Sequence, residues 1–187
     1  MSDLCLTTNR LTIRDFRNDD AEHIFRLFSN EKTTYFIDLP HPNLHHSQEY
    51  LEKILRRNDE NPRRLWKMAV ESSELTDFIG MVYLDPETTY TKDGRADLGY
   101  FLLPEYWGNG YATEASLAMM RYGFEILELN KITAGCLAVN ASSEKVMIRC
   151  HMKKEAEYRK HTVFNGFWVN RVEYAILREE FLVVQHG

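Results

Sequence analysis

The sequence predicts an α+β fold in which about four helices flank one sheet of six or seven strands. Short apolar runs with period-two alternation or flanking turn residues recur along the chain, as strands require. Between them, apolar residues stand at helical spacing after residues 18, 47, 110 and 140. Strands and helices are therefore mixed along the chain. A length of 187 residues fits a single domain, 1–187, with one sizeable core.

The individual elements follow from local patterns. A first strand at 10–16 alternates Leu11 and Ile13 with polar residues, and the acids after Asn18 begin a helix. Asn165–Gly166 is a dipeptide typical of two-residue hairpin turns. The other predicted elements are a helix at 47–57, strands at 65–70, 78–84 and 95–103, a polar turn at 87–94, a helix ending near 127, a strand at 131–139, a helix from 140, and strands at 154–161 and 166–178.

Composition limits the functions that are open to the chain. A formal net charge of −5 gives no broad basic surface, so nucleic acid is not expected as a partner, and the mild acidic excess suits a cationic amine. No apolar run approaches 18 residues and no signal-peptide pattern opens the chain, so neither a membrane span nor export is expected. The spacing of Cys5, Cys136 and Cys150 fits no metal or redox motif, which predicts reduced thiols in a cytoplasmic protein.

The stretch that carries most functional information is PEYWGNGYATEA, which begins at Pro104. Proline cannot continue a central strand, and Gly108 and Gly110 flank Asn109 immediately before a helical pattern. Main-chain N–H groups at a helix start carry partial positive charge and suit a phosphate. The sequence lacks the Gly-Lys-Ser/Thr of a P-loop, and Thr113 stands where a dinucleotide fingerprint needs a third Gly or Ala.

The ten residues Tyr-Trp-Gly-Asn-Gly-Tyr-Ala-Thr-Glu-Ala resemble the acyl-CoA pyrophosphate loop of the GNAT superfamily of N-acetyltransferases. This ten-residue sequence is similar to that of the RimJ/RimL-like branch, which acetylates the N-termini of ribosomal proteins. The phrase Asn-Arg-Leu-Thr-Ile-Arg at 9–14 also resembles the start of that family, so the likeness spans nearly the whole chain. Glu105 departs from the Gln or Arg of the superfamily pattern. The resemblance implies a GNAT fold, with a mixed, mostly antiparallel sheet splayed at its central strands.

The same resemblance implies acetyl-CoA as cofactor, held largely by main-chain groups. The pantetheine arm would pair with the strand before Pro104, beyond which the strands are expected to splay, and an N–H group there would face the thioester oxygen. Asn140 and Ser143 resemble the Asn-x-x-Ser of the branch, where Asn contacts the cofactor and Ser lies near the thiol, although Asn is also a favoured N-cap. Trp107 is expected to be a packing anchor. The predicted cofactor-binding residues are Phe101, Leu102, Leu103, Trp107, Gly108, Asn109, Gly110, Tyr111, Ala112, Asn140 and Ser143.

Acetyl transfer to an amine needs a group that takes the amine proton. Asp97 stands where the branch usually has Glu, and because its side chain is one methylene shorter, a bridging water is expected; the alternative is an exposed strand acid. Glu114, in the first turn of the loop helix, is interpreted as structural. Many GNAT enzymes place an acidic Tyr where this chain has Met147, which leaves Ser143 or solvent to protonate the thiol.

Two further positions qualify the resemblance. The family usually follows the helix after Asn140 with Lys-x-Gly-Phe, whereas this chain has His151 and Met152 at the last two positions. Glycine supplies a left-handed residue there, so His151 either accepts a cost of roughly 1 kcal/mol or changes the helix ending.

A covalent, ping-pong route would need a cysteine nucleophile, and Cys136, on a strand beside the splay, leaves that route barely open.

The resemblance places residues 31–62 beside the acceptor groove, which makes Tyr35, Phe36 and His41 candidates for substrate contact. Packing for the aromatics and solvent exposure for the histidine are the alternatives, and no metal site is expected. The predicted function is direct acetyl transfer in a ternary complex to a primary amine, first of all a protein or peptide N-terminus. A small-molecule amine (polyamine, amino sugar or amino acid) and a non-catalytic acyl-CoA-binding module are the alternatives. A homodimer is compatible with the sequence, but no motif specifies one.

Overall fold

One mixed sheet organises the computed structural model, which describes residues 4–37, 39–86 and 94–186, with side chains described up to residue 183. Eight strands and six α-helices form within these residues. The strands are β1 Cys5–Thr7, β2 Leu11–Asp15, β3 Trp66–Ser72, β4 Phe78–Pro86, β5 Arg95–Leu102, β6 Lys131–Leu137, β7 Lys153–Phe164 and β8 Phe167–Leu177. The helices are α1 Ala21–Phe28, α2 Glu31–Thr34, α3 Leu44–Asn58, α4 Tyr111–Glu125, α5 Ala141–Arg149 and α6 Arg178–His186.

The sheet has the order β1-β2-β3-β4-β5-β6-β8-β7, and within the described residues β5 and β6 form its one parallel pair. That pair is short: it begins at Arg95 and Lys131 and ends at Asp97 and Thr133. Beyond this point β5 follows β4 up to Leu102, whereas β6 follows β8. The two central strands therefore diverge and open a wedge in the sheet. The predicted splay is present, but it begins after Asp97 and not beyond Pro104.

Helices cover both faces of the sheet. On one face α4 packs Met119, Met120 and Phe124 into the larger core. On the other face α1 and α3 form a second core that includes Phe28 and Leu51. Because side chains alternate along a strand, successive residues of β5 reach different cores. This two-layered burial is the usual solution for a sheet with two apolar faces.

The predicted elements are present with shifted ends, and the structure adds three. Strand β1, helix α2 and helix α6 have no counterpart in the prediction, which counted six or seven strands and about four helices. The first two span three and four residues, too few to show a period. The hairpin at Asn165–Gly166 is confirmed, with both residues at positive φ. Most of the predicted polar turn, residues 87–93, lies outside the described residues. In the part of the chain that the structure describes, no helix is both long and apolar enough to cross a membrane.

The end of α5 keeps the ending that glycine usually provides. His151 has φ 61°, its N–H donates to the Ile148 carbonyl at 3.0 Å, and the Met152 N–H donates to the Met147 carbonyl at 3.1 Å. This is the hydrogen-bond pattern of a Schellman ending, with a histidine in the left-handed position. The helix therefore ends where the family pattern expects, and His151 bears the conformational cost of about 1 kcal/mol.

Helix α6 belongs to the core of the fold, because Phe181 is 1% exposed and its ring lies 5.0 Å from that of Phe124 in α4. We expect Phe181→Ala to lower the free energy of unfolding by about 3–5 kcal/mol, the usual cost of removing a fully buried phenylalanine. Urea unfolding measures this loss. The control is Leu182→Ala at the exposed neighbouring position, which should cost roughly 0.5 kcal/mol. Equal losses in the two variants would mean that α6 is not docked as described.

Candidate active site

The loop between β5 and α4 depends on two left-handed glycines. Gly108 has φ 79° and Gly110, the N-cap residue of α4, has φ 81°. A Cβ atom at Gly108 would meet nothing within 4 Å, and one at Gly110 would meet only the Arg10 side chain at 3.6 Å. Lack of space is therefore not what requires glycine. The backbone conformation requires it, because residues with a Cβ avoid positive φ.

The first turn of α4 offers unpaired main-chain donors. The first helical hydrogen bond runs from the Glu114 N–H to the Gly110 carbonyl at 3.0 Å, so the N–H groups of Tyr111, Ala112 and Thr113 precede it. Together with the helix dipole they form a seat for an anion such as a pyrophosphate. The Trp107 N–H does not join this seat, because it donates to the Pro104 carbonyl at 3.1 Å. The predicted seat at 107–112 is thus shortened at its first residue.

Arg10, just before β2, holds this loop in place, a role that the sequence analysis missed. Its Nη1 donates to the Asn109 carbonyl at 3.0 Å and its Nε to Glu114 Oε2 at 2.7 Å, while its guanidinium lies 4.6 Å from the centre of the Tyr111 ring. Glu114 also accepts a hydrogen bond from Thr8 Oγ1 at 2.6 Å. Burial opposes ionisation of Glu114, but these hydrogen bonds outweigh it and lower its pKa. Glu114 is structural, as expected.

The start of the loop is fixed from the opposite side. Glu105 Oε1 accepts a hydrogen bond from Arg26 Nη2 of α1 at 2.8 Å, and the Tyr106 hydroxyl donates to Asp77. The carboxylate of Glu105 is therefore directed at α1 and not at the anion seat. This agrees with its departure from the superfamily pattern, in which that position is Gln or Arg.

Main-chain groups of β5 face the wedge at alternate residues. The Leu103 N–H donates to the Ile79 carbonyl at 3.0 Å. Because bonded residues alternate in an antiparallel pair, the main-chain groups of Phe101 and Leu103 are directed toward β4, and those of Tyr100 and Leu102 toward the wedge. The sequence analysis expected one N–H group of Phe101 to Leu103 to face the thioester oxygen, and this alternation excludes Phe101 and Leu103 from that role. The Leu102 N–H is the candidate that remains.

Trp107 is anchored by its indole nitrogen. Its Nε1 donates to the Leu102 carbonyl at 2.8 Å, while the side chain remains about half exposed. The expected anchor is therefore present, but it works through a hydrogen bond more than through burial. This contact joins the loop to the last residue of β5 at the mouth of the wedge.

Asp97 lies at the apex of the wedge, in the last residue pair of β5 and β6. Thr133 Oγ1 donates to its Oδ1 at 3.5 Å. Burial raises the pKa of Asp97 to about 7; the carboxylates of Glu173 and Asp85 act in the same direction, and Arg171 opposes them. Near neutral pH a substantial part of Asp97 is ionised and a substantial part is protonated. A carboxyl with this titration can accept a proton and release it again.

Two glycines make room for polar groups beside Asp97. A Cβ at Gly99 would overlap the ring of Tyr83, and one at Gly135 would overlap the side chains of Arg171 and Glu173. The latter two form an ion pair, with Arg171 Nε 2.5 Å from Glu173 Oε1. Because alternate strand residues share a face, the phenol and the ion pair lie on the same face of the sheet as Asp97. The wedge thus has a polar border on this side, which we call the acceptor face.

The opposite face of the wedge carries Ser143. Asn140 caps α5, since its Oδ1 accepts the Ser143 N–H at 3.2 Å, and the Tyr100 hydroxyl donates to Ser143 Oγ at 3.3 Å. Burial raises the pKa of Tyr100 to about 12. Met147, at the position of the familiar tyrosine acid, is buried in the core. Tyr100 was missed by the sequence analysis, because only the fold brings β5 and α5 together.

Cys136 does not provide a nucleophile suited to covalent catalysis. It is 9% exposed, and its thiol donates to the Asn140 carbonyl at 3.7 Å. Burial raises the pKa of Cys136 to about 11. The thiol therefore stays protonated at neutral pH, whereas nucleophilic attack needs the thiolate.

Tyr35 and Phe36 join the loop after α2 to the tip of the β7–β8 hairpin. The Tyr35 hydroxyl accepts a hydrogen bond from Asn165 Nδ2 at 2.8 Å, and the Phe36 ring stacks on Phe164 with 5.4 Å between centroids. The two aromatic residues thus bridge elements that are distant in sequence. Contact between these two residues and an acceptor remains a prediction.

His41 is almost fully buried. It is 4% exposed, its Nδ1 lies 2.8 Å from Ser47 Oγ, and its ring packs against Phe28 and Tyr50. Burial lowers the pKa of His41 to about 4, so the ring is neutral at physiological pH. The solvent exposure that the sequence analysis weighed for His41 is therefore wrong, because the ring is satisfied between α1 and α3. Contact between His41 and an acceptor remains a prediction.

The chain is similar to known proteins in sequence and in fold. Residues 10–153 match the acetyltransferase (GNAT) domain family. The N-acetyltransferase YoaA of Bacillus subtilis is 28% identical over 174 residues, which cover 92% of this chain and 96% of that protein. The solved structure of a ribosomal-protein-S5-alanine acetyltransferase from Vibrio fischeri superposes with a TM-score of 0.82 at 20% identity, covering 96% and 99% of the two chains. The spermidine N-acetyltransferase of Vibrio cholerae, solved with CoA and spermine, gives 0.80 at 23% identity, covering 94% and 99%.

The chain belongs to the GNAT acetyltransferase family. It is an acetyl-CoA-dependent N-acetyltransferase, which confirms the predicted family, fold class and cosubstrate. The anion seat formed by the N–H groups of Tyr111, Ala112 and Thr113 offers main-chain donors, and the open edge of β5 is an unpaired strand edge. Together they suit a long pyrophosphate-bearing thioester.

Gly110→Val should weaken CoA binding by at least about tenfold, because valine disfavours φ 81° by roughly 1–2 kcal/mol and distorts the anion seat. Isothermal titration with CoA measures the loss. The matched control is Gly166→Val in the β7–β8 hairpin, where φ is 80° and the surroundings are equally open. That variant should be strained to a similar degree yet bind CoA normally. Normal affinity in Gly110→Val would place the seat elsewhere.

Proposed function

We propose that this enzyme transfers the acetyl group directly to a primary amine in a ternary complex, with Asp97 as general base. The observation that carries the proposal is a half-buried carboxyl with a pKa of about 7 at the apex of the wedge. An aliphatic amine is largely protonated near neutral pH, and it must lose a proton to attack. A base whose pKa lies near the working pH is the most effective group for that task.

The residues around the wedge supply complementary roles. Acetyl-CoA, when bound, provides the activated acetyl thioester. The α4 N-terminus holds the pyrophosphate, and the Leu102 N–H stabilises the negative charge that develops on the carbonyl oxygen. Asp97 takes the amine proton through a bridging water, since its side chain is short. Ser143, across the wedge, lies on the side toward which the sulfur departs.

We propose a protein or peptide N-terminus as the acceptor. The loop sequence supports this choice, because it is similar to that of the branch that acetylates ribosomal proteins. The S5-alanine acetyltransferase also shares the fold. A small cationic amine is the second candidate. It is favoured by the acceptor face, where Asp85, Asp97 and Glu173 outnumber the cation of Arg171, and by the fold shared with spermidine acetyltransferase.

A panel of acceptors, with thiol release as the signal, tests this proposal. Short peptides with free N-termini should be acetylated with kcat/KM at least about tenfold above that of polyamines, amino sugars and amino acids, a difference of roughly 1.4 kcal/mol in transition-state binding. N-terminally blocked peptides are the matched controls and should give no product. A preference for polyamines would replace the peptide by the second candidate. Binding of acetyl-CoA without turnover on any acceptor would show a non-catalytic module.

The pH dependence of Asp97→Asn provides a test of the base. Asp97 accepts a proton only when ionised, and its ionised fraction falls as the pH drops through about 7. The ratio of wild-type to Asp97→Asn kcat should therefore be about a hundredfold at pH 8, about half of that at pH 7 and about tenfold at pH 6. Taking the ratio cancels the titration of the acceptor amine. CoA affinity should change little.

Glu173→Gln is the companion variant. It removes a like charge from the neighbourhood of Asp97 and leaves Arg171 without its partner, and both changes lower the pKa of Asp97. The fall in kcat at acid pH, which marks the pKa of Asp97, should therefore move to lower pH. A fall in kcat at acid pH that persists in Asp97→Asn would assign the titrating group to another residue.

A further inference from the structure

Two hydroxyl groups span the wedge on the face opposite to Asp97. Tyr100 lies three residues beyond Asp97 on β5, so its side chain is directed to the other face of the sheet. Its hydroxyl reaches Ser143 Oγ at 3.3 Å, in the first turn of α5. At this level β5 and β6 no longer pair, so the contact crosses the region into which the thioester would extend.

The direction of this hydrogen bond follows from the two groups. A phenol is a much stronger O–H donor than an alcohol, so Tyr100 donates and Ser143 accepts. The backbone N–H of Ser143 is already used, since it donates to Asn140 Oδ1. The hydroxyl of Ser143 keeps one proton of its own, and among the residues that the structure describes no acceptor for that proton is found. Oγ accepts from Tyr100 through one lone pair, so its own proton stays available to a group bound in the wedge.

We propose that Tyr100 is a positioning residue that acts through Ser143, holding the serine hydroxyl so that its proton meets the departing sulfur. This inference rests on the proposed function, because it assumes acetyl transfer at the wedge. It assigns to β5 a task that many members of the family give to a tyrosine on the helix, where this chain has the buried Met147. The base and the leaving-group donor then stand on opposite faces of one wedge.

The step balances without a further reactant. The amine nitrogen first uses its lone pair to form the C–N bond to the acetyl carbon. When the C–S bond then breaks, its electron pair stays on sulfur, and the thiolate is stabilised by the hydrogen bond from Ser143. A thiol has a pKa near 8.5, well below that of Tyr100, about 12, so the two hydroxyls lend a hydrogen bond without giving up their protons. Water protonates the thiolate after it leaves. The proton of the amine departs separately through Asp97.

A double-mutant cycle tests whether Tyr100 acts through Ser143. Ser143→Ala should lower kcat about tenfold or more and Tyr100→Phe about three- to tenfold, because the charge on the departing sulfur loses its hydrogen bond. Tyr100→Phe should leave the Kd for CoA unchanged. If Tyr100 acts through Ser143, the double variant should be no slower than Ser143→Ala alone. The readouts are thiol release at saturating substrates and titration with CoA.

Tyr174→Phe is the matched control. The Tyr174 hydroxyl donates to Glu144 Oε1 at 2.7 Å, so it contacts the same turn of α5 from β8. Its loss should leave kcat unchanged. Three results would overturn the positioning role of Tyr100 while leaving acetyl transfer intact. They are losses in kcat that add in the double variant, an unchanged rate in Tyr100→Phe, or an equal loss in Tyr174→Phe. Absence of turnover in the wild-type enzyme would instead overturn the proposed function, and this inference with it.

Discussion

The three-residue limit of the parallel pairing between β5 and β6 is the constraint from which the site follows. Each strand has a longer antiparallel partner, β4 for β5 and β8 for β6, and the two strands separate once those partnerships diverge. The separation leaves the inner edge of β5 unpaired, so the Leu102 N–H faces open space. It also places Asp97 at the apex, partly buried by the closed part of the sheet and still reachable from the open part.

Two acids near the wedge have pKa values shifted in opposite directions, because they have different neighbours. Glu114 stands beside the anion seat, where a free carboxylate would repel phosphate, and its ionised form is satisfied by Thr8 and Arg10 on the side of the N-terminal strands. Asp97 lacks such strong donors and has other carboxylates nearby, so burial raises its pKa. One acid is thereby reserved for structure, and the other is free to exchange a proton.

Features that depend on neighbouring residues could be predicted from the sequence. The left-handed glycines of the loop, the Asn140 cap and the hairpin at Asn165–Gly166 belong to this group, because local backbone chemistry decides them. Features that depend on strand register could not. Glu173 and Tyr100 reach the wedge only because particular strands pair, and Leu103 is excluded as a donor by an alternation that starts at Ile79. The solvent exposure expected for His41 is wrong for a related reason, since burial by α1 and α3 is invisible in a polar loop sequence.

The contacts of Arg10 tie the glycine loop before α4 to the first part of the chain, across 99 and 104 positions in sequence. Contacts of such separation are entropically costly to form before the intervening chain has folded. The loop thus acquires its final shape only when the N-terminal strand has docked against the completed sheet. A partly assembled chain with α4 already helical would still lack the contacts of Arg10 that fix the loop before it.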